Sequence, residues 1–136
     1  MPELSDKLKP GLTGKAEIVV GTRDTAPHVG SGKIGVLATP IMVNLMEAAA
    51  LQAVERFMPA GHQTVGTHLD VKHFAATPVG MRVAAHAELV KVEGRMLTFR
   101  IRAEDEREAI GEGMHERLII NVERFDVRMQ RKLGKA

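Results

Sequence analysis

A single helical segment followed only by strand-like segments is the feature that most constrains this fold. Residues 41–57 contain neither Gly nor Pro, Thr39-Pro40 precede them, and Pro59-Ala60-Gly61 follow. Thr is a favourable N-cap and Pro is tolerated at the first helical position, so the pattern predicts a helix over 39–57. Its apolar residues cover most of the circumference, which predicts a largely buried helix.

The residues after this helix alternate between apolar and polar with a period of two. Runs at 63–75, 81–91, 96–104 and 112–127 each place apolar side chains on one face, and residues 15–20 form a shorter run before the helix. Glu93-Gly94 is typical of a tight hairpin. No crossover helix separates the four later strands. The order therefore predicts an α+β domain in which an antiparallel sheet packs on one long helix.

Length and composition limit the class of protein. A chain of 136 residues with 44% hydrophobic and 26% charged residues fits one globular domain over 1–136. The absence of Cys excludes a disulfide scaffold, a thiolate nucleophile and a Cys-based zinc site, and favours a cytoplasmic location. No apolar run approaches the length that spans a bilayer, and the first ten residues lack the apolar block of a signal peptide.

Charge and aromatic content argue against a nucleic-acid partner. The net charge is +2 with the signs interspersed, and the chain has no Trp or Tyr for base stacking. A basic tail follows the last predicted strand and would suit phosphate attraction, but a solvated, poorly ordered terminus is the favoured interpretation. Its basic residues are Arg124, Arg128, Arg131, Lys132 and Lys135.

Two ligand-binding patterns are present without the context that they require. Residues 30–35 (GSGKIG) match the dinucleotide fingerprint GxGxxG, but no strand leads directly through them into a helix, so they are predicted to form a flexible loop. His62, His68 and His73 are spaced so that the last two lie on opposite faces of a strand, and no HExxH motif occurs. No metal site is therefore predicted.

Three polar side chains around the helix and the next strand suggest acyl-transfer chemistry. Glu47 lies beside apolar residues of the helix, where a carboxylate loses water and becomes a candidate acid, base or nucleophile. Thr39 lies about 80° from Glu47 around the helix axis, so the two can line one wall of a pocket. His73 continues an apolar row of its strand. That row contains Val65, Thr67, Leu69 and Val71.

A hydroxyl, an imidazole and a carboxylate that converge near a helix N-terminus form a plausible acyl-transfer site. Simpler roles stay open for each residue. Thr39 can act as an N-cap, His73 can be a hydrogen-bonded core residue, and Glu47 can reach water at the edge of the apolar stripe. The polar run His115-Glu116-Arg117 is explained as well by a solvated edge or a cross-strand ion pair as by a ligand contact.

The sequence resembles the fluoroacetyl-CoA thioesterase-like family of hot-dog-fold proteins. The resemblance rests on ATPIMVNLMEAA, VGTHLDVKHFAATPVG, VEGRMLTF and IGEGMHERLIINVERF, which cover most of the chain from about residue 36. It implies a curved antiparallel sheet around a central helix and a homodimer that binds coenzyme A near the subunit interface. It also implies catalytic roles for Thr39, Glu47 and His73, and substrate-binding roles for Gly66, near the thioester, and for Arg117.

The resemblance therefore predicts hydrolysis of an acyl-CoA thioester with a small acyl group, with no cofactor beyond the coenzyme A of the substrate. The family's phenylalanine-bearing lid is not matched, because residues 28–38 contain three Gly and no Phe. Selectivity for a fluorinated acyl group is therefore not predicted. The alternatives are a non-catalytic acyl-CoA binding dimer and an enoyl-thioester hydratase or dehydratase.

Overall fold

The computed structural model describes residues 3–135. The predicted order of one strand, one long helix and four strands is confirmed, and two further helices are present. The elements are β1 (Thr13–Val19), α1 (Ala26–Val29), α2 (Thr39–Val54), β2 (His62–His73), β3 (Arg82–Glu93), β4 (Met96–Asp105), β5 (Ala109–Asn121) and α3 (Val122–Lys132). Single 3₁₀ turns lie at Thr22–Asp24 and Glu55–Phe57.

The five strands form one antiparallel sheet in the order β1-β3-β4-β5-β2. The sheet packs its inner face on α2, as predicted. The alternating apolar rows of β3 and β4 are buried because they face this helix. They consist of Val83, Ala85, Ala87 and Leu89 on β3, and of Leu97, Phe99, Ile101 and Ala103 on β4.

Helix α2 is buried along its length because small and flexible side chains face the sheet. Met42, Met46, Ala49 and Ala50 are completely buried. A Cβ at Gly14 of β1 would overlap the backbone carbonyl of Ala49, so the close approach of this strand to the helix requires glycine. The regular helix ends at Val54, and the 3₁₀ turn continues it to Phe57.

The prediction of a strand over 112–127 is wrong beyond Asn121. The Asn121 side chain accepts a hydrogen bond of 3.0 Å from the backbone N–H of Arg124, and this N-cap ends β5 and begins α3. The prediction of a poorly ordered basic tail is wrong for the same reason. The helix contains Arg124, Arg128, Arg131 and Lys132, and Lys135 follows it.

A β-bulge changes which residues of β2 face inward. Gly66 pairs with Arg117 and His68 pairs with Glu116, so Thr67 has no register partner on β5. Register partners share a face, and His73 therefore lies on the inner face with Gly66 despite an odd separation. The prediction that these five residues share the inner face of β2 is correct for Leu69, Val71 and His73, and wrong for Val65 and Thr67.

The glycine motif and the three spaced histidines occupy unrelated positions. Residues 30–35 lie in the irregular connection between α1 and α2, as predicted. No set of three or more His, Asp or Glu side chains within residues 3–135 is arranged to hold a metal ion. No helix in the same range is both long enough and apolar enough to cross a bilayer.

Candidate active site

The hydroxyl of Thr39 contacts His73 instead of capping the helix. Ala38 is the N-cap of α2, and Thr39 is the first helical residue, so the prediction of Thr39 as N-cap is wrong by one position. Its Oγ1 lies 2.7 Å from Nδ1 of His73. This hydrogen bond joins the start of α2 to the end of β2 and fixes the orientation of the imidazole ring.

The other ring nitrogen of His73 is buried without a protein partner. Its Nε2 makes no hydrogen bond to any of residues 3–135. Burial lowers the pKa of His73 below its usual 6.5, and the nearby backbone of Ala75 partly opposes this effect. A neutral imidazole held at one nitrogen and unpartnered at the other can accept a proton from a bound water or substrate.

A cavity of about 370 Å³ opens beside this pair. Thr39 and His73 form part of its wall, and the glycine-containing connection that precedes α2 forms another part. Phe74 and Ala75, at the end of β2, complete the lining together with neighbouring apolar residues. The volume lies at the lower end of the range for small-molecule sites and suits a small group.

Glu47 belongs to a second polar cluster, with Gly66 and Arg117. Its Oε2 lies 3.7 Å from Nη1 of Arg117, and the Glu47 side chain is 36% exposed against 9% for Arg117. A Cβ at Gly66 would come within 2.9 Å of the same carboxylate oxygen, so glycine leaves the space in front of Glu47 open. The carboxylate is therefore paired, partly hydrated and accessible from the β2 side.

Thr64, which the sequence analysis did not identify, and His115, which it did, hold Arg117 in place. The guanidinium donates through Nε to Oγ1 of Thr64 at 2.9 Å and through Nη2 to the Thr64 carbonyl at 3.2 Å. It also donates through Nη1 to Nε2 of His115 at 3.2 Å. Nδ1–H of His115 donates to the carbonyl of His68 at 2.8 Å, which leaves Nε2 as the acceptor.

Burial dominates the ionisation of this second cluster. It lowers the pKa of His115 below 6.5, the hydrogen bond to His68 opposes the shift, and the Arg117 charge adds to it. Burial also lowers the pKa of Arg117, and Glu47 opposes that effect. His115 is completely buried and Arg117 is 7% exposed, so a solvated edge is the wrong interpretation for these two residues. Glu116 between them is partly exposed and lies 3.6 Å from His68 across the strands, as the cross-strand ion pair predicts. His115 and Arg117 lie on the same strand face as the buried Ile119, four and two residues away, and this shared face was the sequence signal for their burial.

Within one chain the predicted site residues form two separate groups. Thr39 and Glu47 are eight residues apart on α2, which corresponds to about 12 Å along the helix axis. No hydrogen bond or ion pair within residues 3–135 connects the Thr39–His73 pair to the Glu47–Gly66–Arg117 cluster. The structure thus brings Thr39 to His73, and Glu47 to Gly66 and Arg117.

Known proteins resemble this chain in both sequence and structure. The profile of the family "Fluoroacetyl-CoA-specific thioesterase" matches residues 20–123. A fluoroacetyl-CoA thioesterase from Streptantibioticus cattleyicolor is 43% identical over 97 residues, which cover 71% of this chain and 70% of that protein.

Solved structures extend the similarity to nearly the whole chain. A fluoroacetyl-CoA thioesterase superposes with a TM-score of 0.88 at 36% identity, covering 93% of this chain and 98% of the other. A hot-dog-like protein from Thermanaerovibrio acidaminovorans superposes with a TM-score of 0.85 at 20% identity, covering 93% and 94%, which confirms the hot-dog fold. The chain is a hot-dog-fold protein that belongs to the fluoroacetyl-CoA-specific thioesterase family.

Proposed function

We propose that this protein hydrolyses thioesters between coenzyme A and small acyl groups. The observation that carries the proposal is the His73 imidazole, which Thr39 holds through Nδ1 beside a cavity of about 370 Å³. Its buried Nε2 has no hydrogen-bond partner among residues 3–135. Solved structures of a fluoroacetyl-CoA thioesterase at 35–37% identity to this chain contain fluoroacetate with CoA or acetyl-CoA, which supports a substrate of this class.

In the proposed reaction, His73 accepts a proton from water as the water oxygen attacks the thioester carbonyl. The C–S bond then breaks, the proton returns to the coenzyme A thiolate, and the free acid leaves. Glu47 either stabilises the imidazolium or attacks the carbonyl itself to form a mixed anhydride. Both roles require an ionised Glu47 carboxylate. Arg117 stabilises this negative charge, because its Nη1 lies 3.7 Å from Oε2 of Glu47. Backbone N–H groups near Gly66 or at the start of α2 stabilise the oxyanion.

We further propose that two chains complete each site. The Glu47 and His73 groups do not meet within one chain, and β2 is an edge strand with Leu69 exposed to 42%. An unprotected edge of this kind favours pairing with another strand. A two-fold dimer would place Glu47, Gly66 and Arg117 of one chain against Thr39 and His73 of the other.

Mixing two inactive variants tests this arrangement. Glu47→Ala and His73→Ala should each abolish turnover as homodimers. If each site uses Glu47 from one chain and His73 from the other, a refolded equimolar mixture should regain about a quarter of wild-type activity, since half of the dimers are mixed and each mixed dimer has one intact site. A mixture that stays inactive while it forms dimers would contradict the shared site.

A panel of acyl-CoA thioesters tests the reaction itself. We expect thiol release from acetyl-CoA and other small acyl-CoAs at rates far above those of Glu47→Ala and His73→Ala. Tight binding without release would indicate an acyl-CoA binding protein, and water addition to crotonyl-CoA would indicate a hydratase. A single turnover in ¹⁸O-labelled water distinguishes the two roles of Glu47, because only the anhydride route leaves label in its carboxylate.

The connection before α2 sets the expected specificity. Residues 28–38 contain no Phe, and the largest apolar side chains that this connection brings to the cavity are those of Ile34 and Leu37. We therefore propose that the protein accepts several small acyl groups without preference for a fluorinated one. We also propose a cytoplasmic location, which a chain of 136 residues without Cys supports.

A further inference from the structure

The irregular connection from β2 to β3, residues 74–81, is anchored by one polar side chain. Of these residues Thr77 alone is buried, and it is completely buried. Its hydroxyl donates a hydrogen bond of 2.8 Å to Oδ2 of Asp105, the last residue of β4. Apolar packing has no preferred direction, whereas a hydrogen bond of this kind does. The bond therefore fixes both the position and the orientation of Thr77.

Asp105 is itself held by the turn between β4 and β5. Its Oδ1 accepts hydrogen bonds from the backbone N–H groups of Arg107 at 2.8 Å and of Glu108 at 3.0 Å. Burial alone would raise the pKa of Asp105, but these two bonds, the bond from Thr77 and the Arg107 charge outweigh it and hold the pKa below its usual value. The carboxylate is therefore ionised at neutral pH, and an ionised acceptor makes a stronger hydrogen bond than a neutral one.

The backbone of Thr77 joins this anchor to the connection that precedes α2. Its carbonyl accepts a hydrogen bond of 2.9 Å from the N–H of Leu37, and beside it Pro78 and Val36 form an antiparallel bridge. Leu37 is buried, lines the cavity of the candidate active site and lies two residues before Thr39. The position of Thr77 thus influences where α2 begins.

On its other side, Thr77 is connected to His73 by residues 74–76, which line the same cavity. The backbone N–H of Phe74 donates to the carbonyl of Ile110 at 2.8 Å, so this short segment is held by β5 at one end and by Thr77 at the other. Thr39 and His73 lie on the two segments that Thr77 joins, and they are hydrogen-bonded at 2.7 Å. A shift of Thr77 would therefore change the distance between them.

We propose that Asp105 is a positioning residue for the Thr39–His73 pair and acts through Thr77. It fixes the Thr77 side chain, hence the Thr77 carbonyl, and hence the separation between the start of α2 and the end of β2. Asp105 lies outside the cavity wall and takes no part in the chemical step. The inference rests on the proposed function, because it names a residue that supports the same site.

Two pairs of variants test this proposal in the full chain. Thr77→Val keeps a branched side chain and removes the hydroxyl, whereas Thr77→Ser keeps the hydroxyl. Asp105→Ala removes the acceptor, and water can replace it at the exposed N–H groups of the turn. Its matched control, Glu104→Ala, removes a hydrogen bond of the same length, 2.8 Å, to His86 on the outer face of the sheet.

Steady-state kinetics with the best small acyl-CoA give the first measurement. Thr77→Val and Asp105→Ala should each lower kcat about ten-fold, which corresponds to a displacement of the pair by about 0.5 Å, and should leave KM within about two-fold of wild type. Thr77→Ser and Glu104→Ala should keep both constants within about two-fold. If Thr77→Val does not fold, Asp105→Ala and its control make the same comparison.

The ring of His73 gives a second measurement that does not require turnover. NMR of ¹⁵N-labelled protein above pH 6.5, where the imidazole is neutral, reports which ring nitrogen carries the proton. In the wild-type protein, the hydrogen bond between Thr39 and Nδ1 should hold one tautomer. Thr77→Val and Asp105→Ala should shift the ring signals toward those of a free imidazole, and Thr77→Ser and Glu104→Ala should not.

Three results would overturn the inference. The first is a wild-type kcat with wild-type His73 signals in Thr77→Val and Asp105→Ala. The second is an equal loss of kcat in Glu104→Ala, since lost stability would then be the cause. The third is a loss in Thr77→Ser as large as that in Thr77→Val, since the hydroxyl would then not be the group that acts. Failure of the proposed function is recognised separately, as absent thioester turnover by a wild-type protein whose His73 signals still respond to Thr77→Val.

Discussion

Replacement of Gly66 by Ala tests whether the space in front of Glu47 serves catalysis or packing. The added Cβ would lie 2.9 Å from Oε2 of Glu47, 3.2 Å from Cε1 of His115 and 3.6 Å from Nη1 of Arg117. The contact with Glu47 is about 0.5 Å shorter than an ordinary non-bonded separation. The carboxylate must retreat by about that amount, and it can do so because it ends a flexible, partly exposed side chain.

The consequence for stability should be small and the consequence for activity large. Ala is favoured over Gly in a strand by about 0.5–1 kcal/mol, which offsets the close approach to His115, so the free energy of unfolding should stay within about 1 kcal/mol of wild type. A displacement of a catalytic group by 1 Å costs about 100-fold in rate, so a displacement of about 0.5 Å predicts a loss of roughly 10-fold in kcat/KM.

Gly113→Ala on the partner strand is the matched control. A Cβ at Gly113 would overlap the backbone carbonyl of Asp70 and lie 2.8 Å from Cα of Val71, and neither backbone atom can move without separating β2 from β5. We expect this variant to lose about 2–4 kcal/mol of stability. Urea unfolding and steady-state kinetics with the best small acyl-CoA measure both effects. Full activity of Gly66→Ala, or destabilisation equal to that of Gly113→Ala, would refute the reasoning.

Two further predictions concern charge. Burial lowers the pKa of His73 and His115, so the unfolded chain binds more protons than the folded one below pH 6.5. The free energy of unfolding should therefore fall as the pH decreases from about 6.5 through the folded-state pKa values. For the same reason, the acid limb of the kcat/KM profile should have its midpoint below pH 6.5. A midpoint above 6.5 in either measurement would contradict this expectation. Arg117→Met removes the donors to Thr64 and His115 and should cost about 2–4 kcal/mol of unfolding free energy, whereas Arg100→Met, which breaks an exposed pair, should cost less than about 1 kcal/mol.

The helix, the sheet and the buried faces of β3 and β4 were predictable because their periodicity extends over many residues. Burial dictates which positions are apolar, and ten or more residues show the pattern clearly. The end of β5 was not predictable in this way. Alternation continues past Asn121 to Glu123, and the hydrogen bond that the Asn121 side chain accepts from the backbone N–H of Arg124 marks where the strand ends and the helix begins.

The sequence suggested Thr39, Glu47, His73, Gly66 and Arg117 as site residues, but it could not predict how they are arranged. Helical geometry indicated that Glu47 and Thr39 face related directions, but it gave no distance across the sheet. Thr64 and His115 could not be assigned to Arg117 without the register of β2 against β5. A strand pairing is a long-range property, and a side chain that bridges two strands carries no local signal.

The bulge at Thr67 is where register and site depend most directly on one residue. Thr67 is exposed and donates a hydrogen bond of 3.2 Å to the Glu116 carbonyl, so Thr67→Ala keeps the extra residue and should change stability and activity little. Deletion of Thr67 removes the residue without a partner and leaves a regular ladder, in which Gly66 still pairs with Arg117 and His68 with Glu116. Both halves of β2 therefore keep their faces, and what the deletion removes is the local bend that the bulge imposes.

The Thr64 side chain therefore still accepts from Arg117, and Gly66 still leaves the space before Glu47 open. We expect the deletion variant to fold with a loss of about 1–3 kcal/mol and to keep part of its thioester turnover, as measured by urea unfolding and thiol release. A folded deletion variant without turnover would contradict this expectation. In that case the bend at the bulge, and not the register alone, would be what positions the two polar clusters.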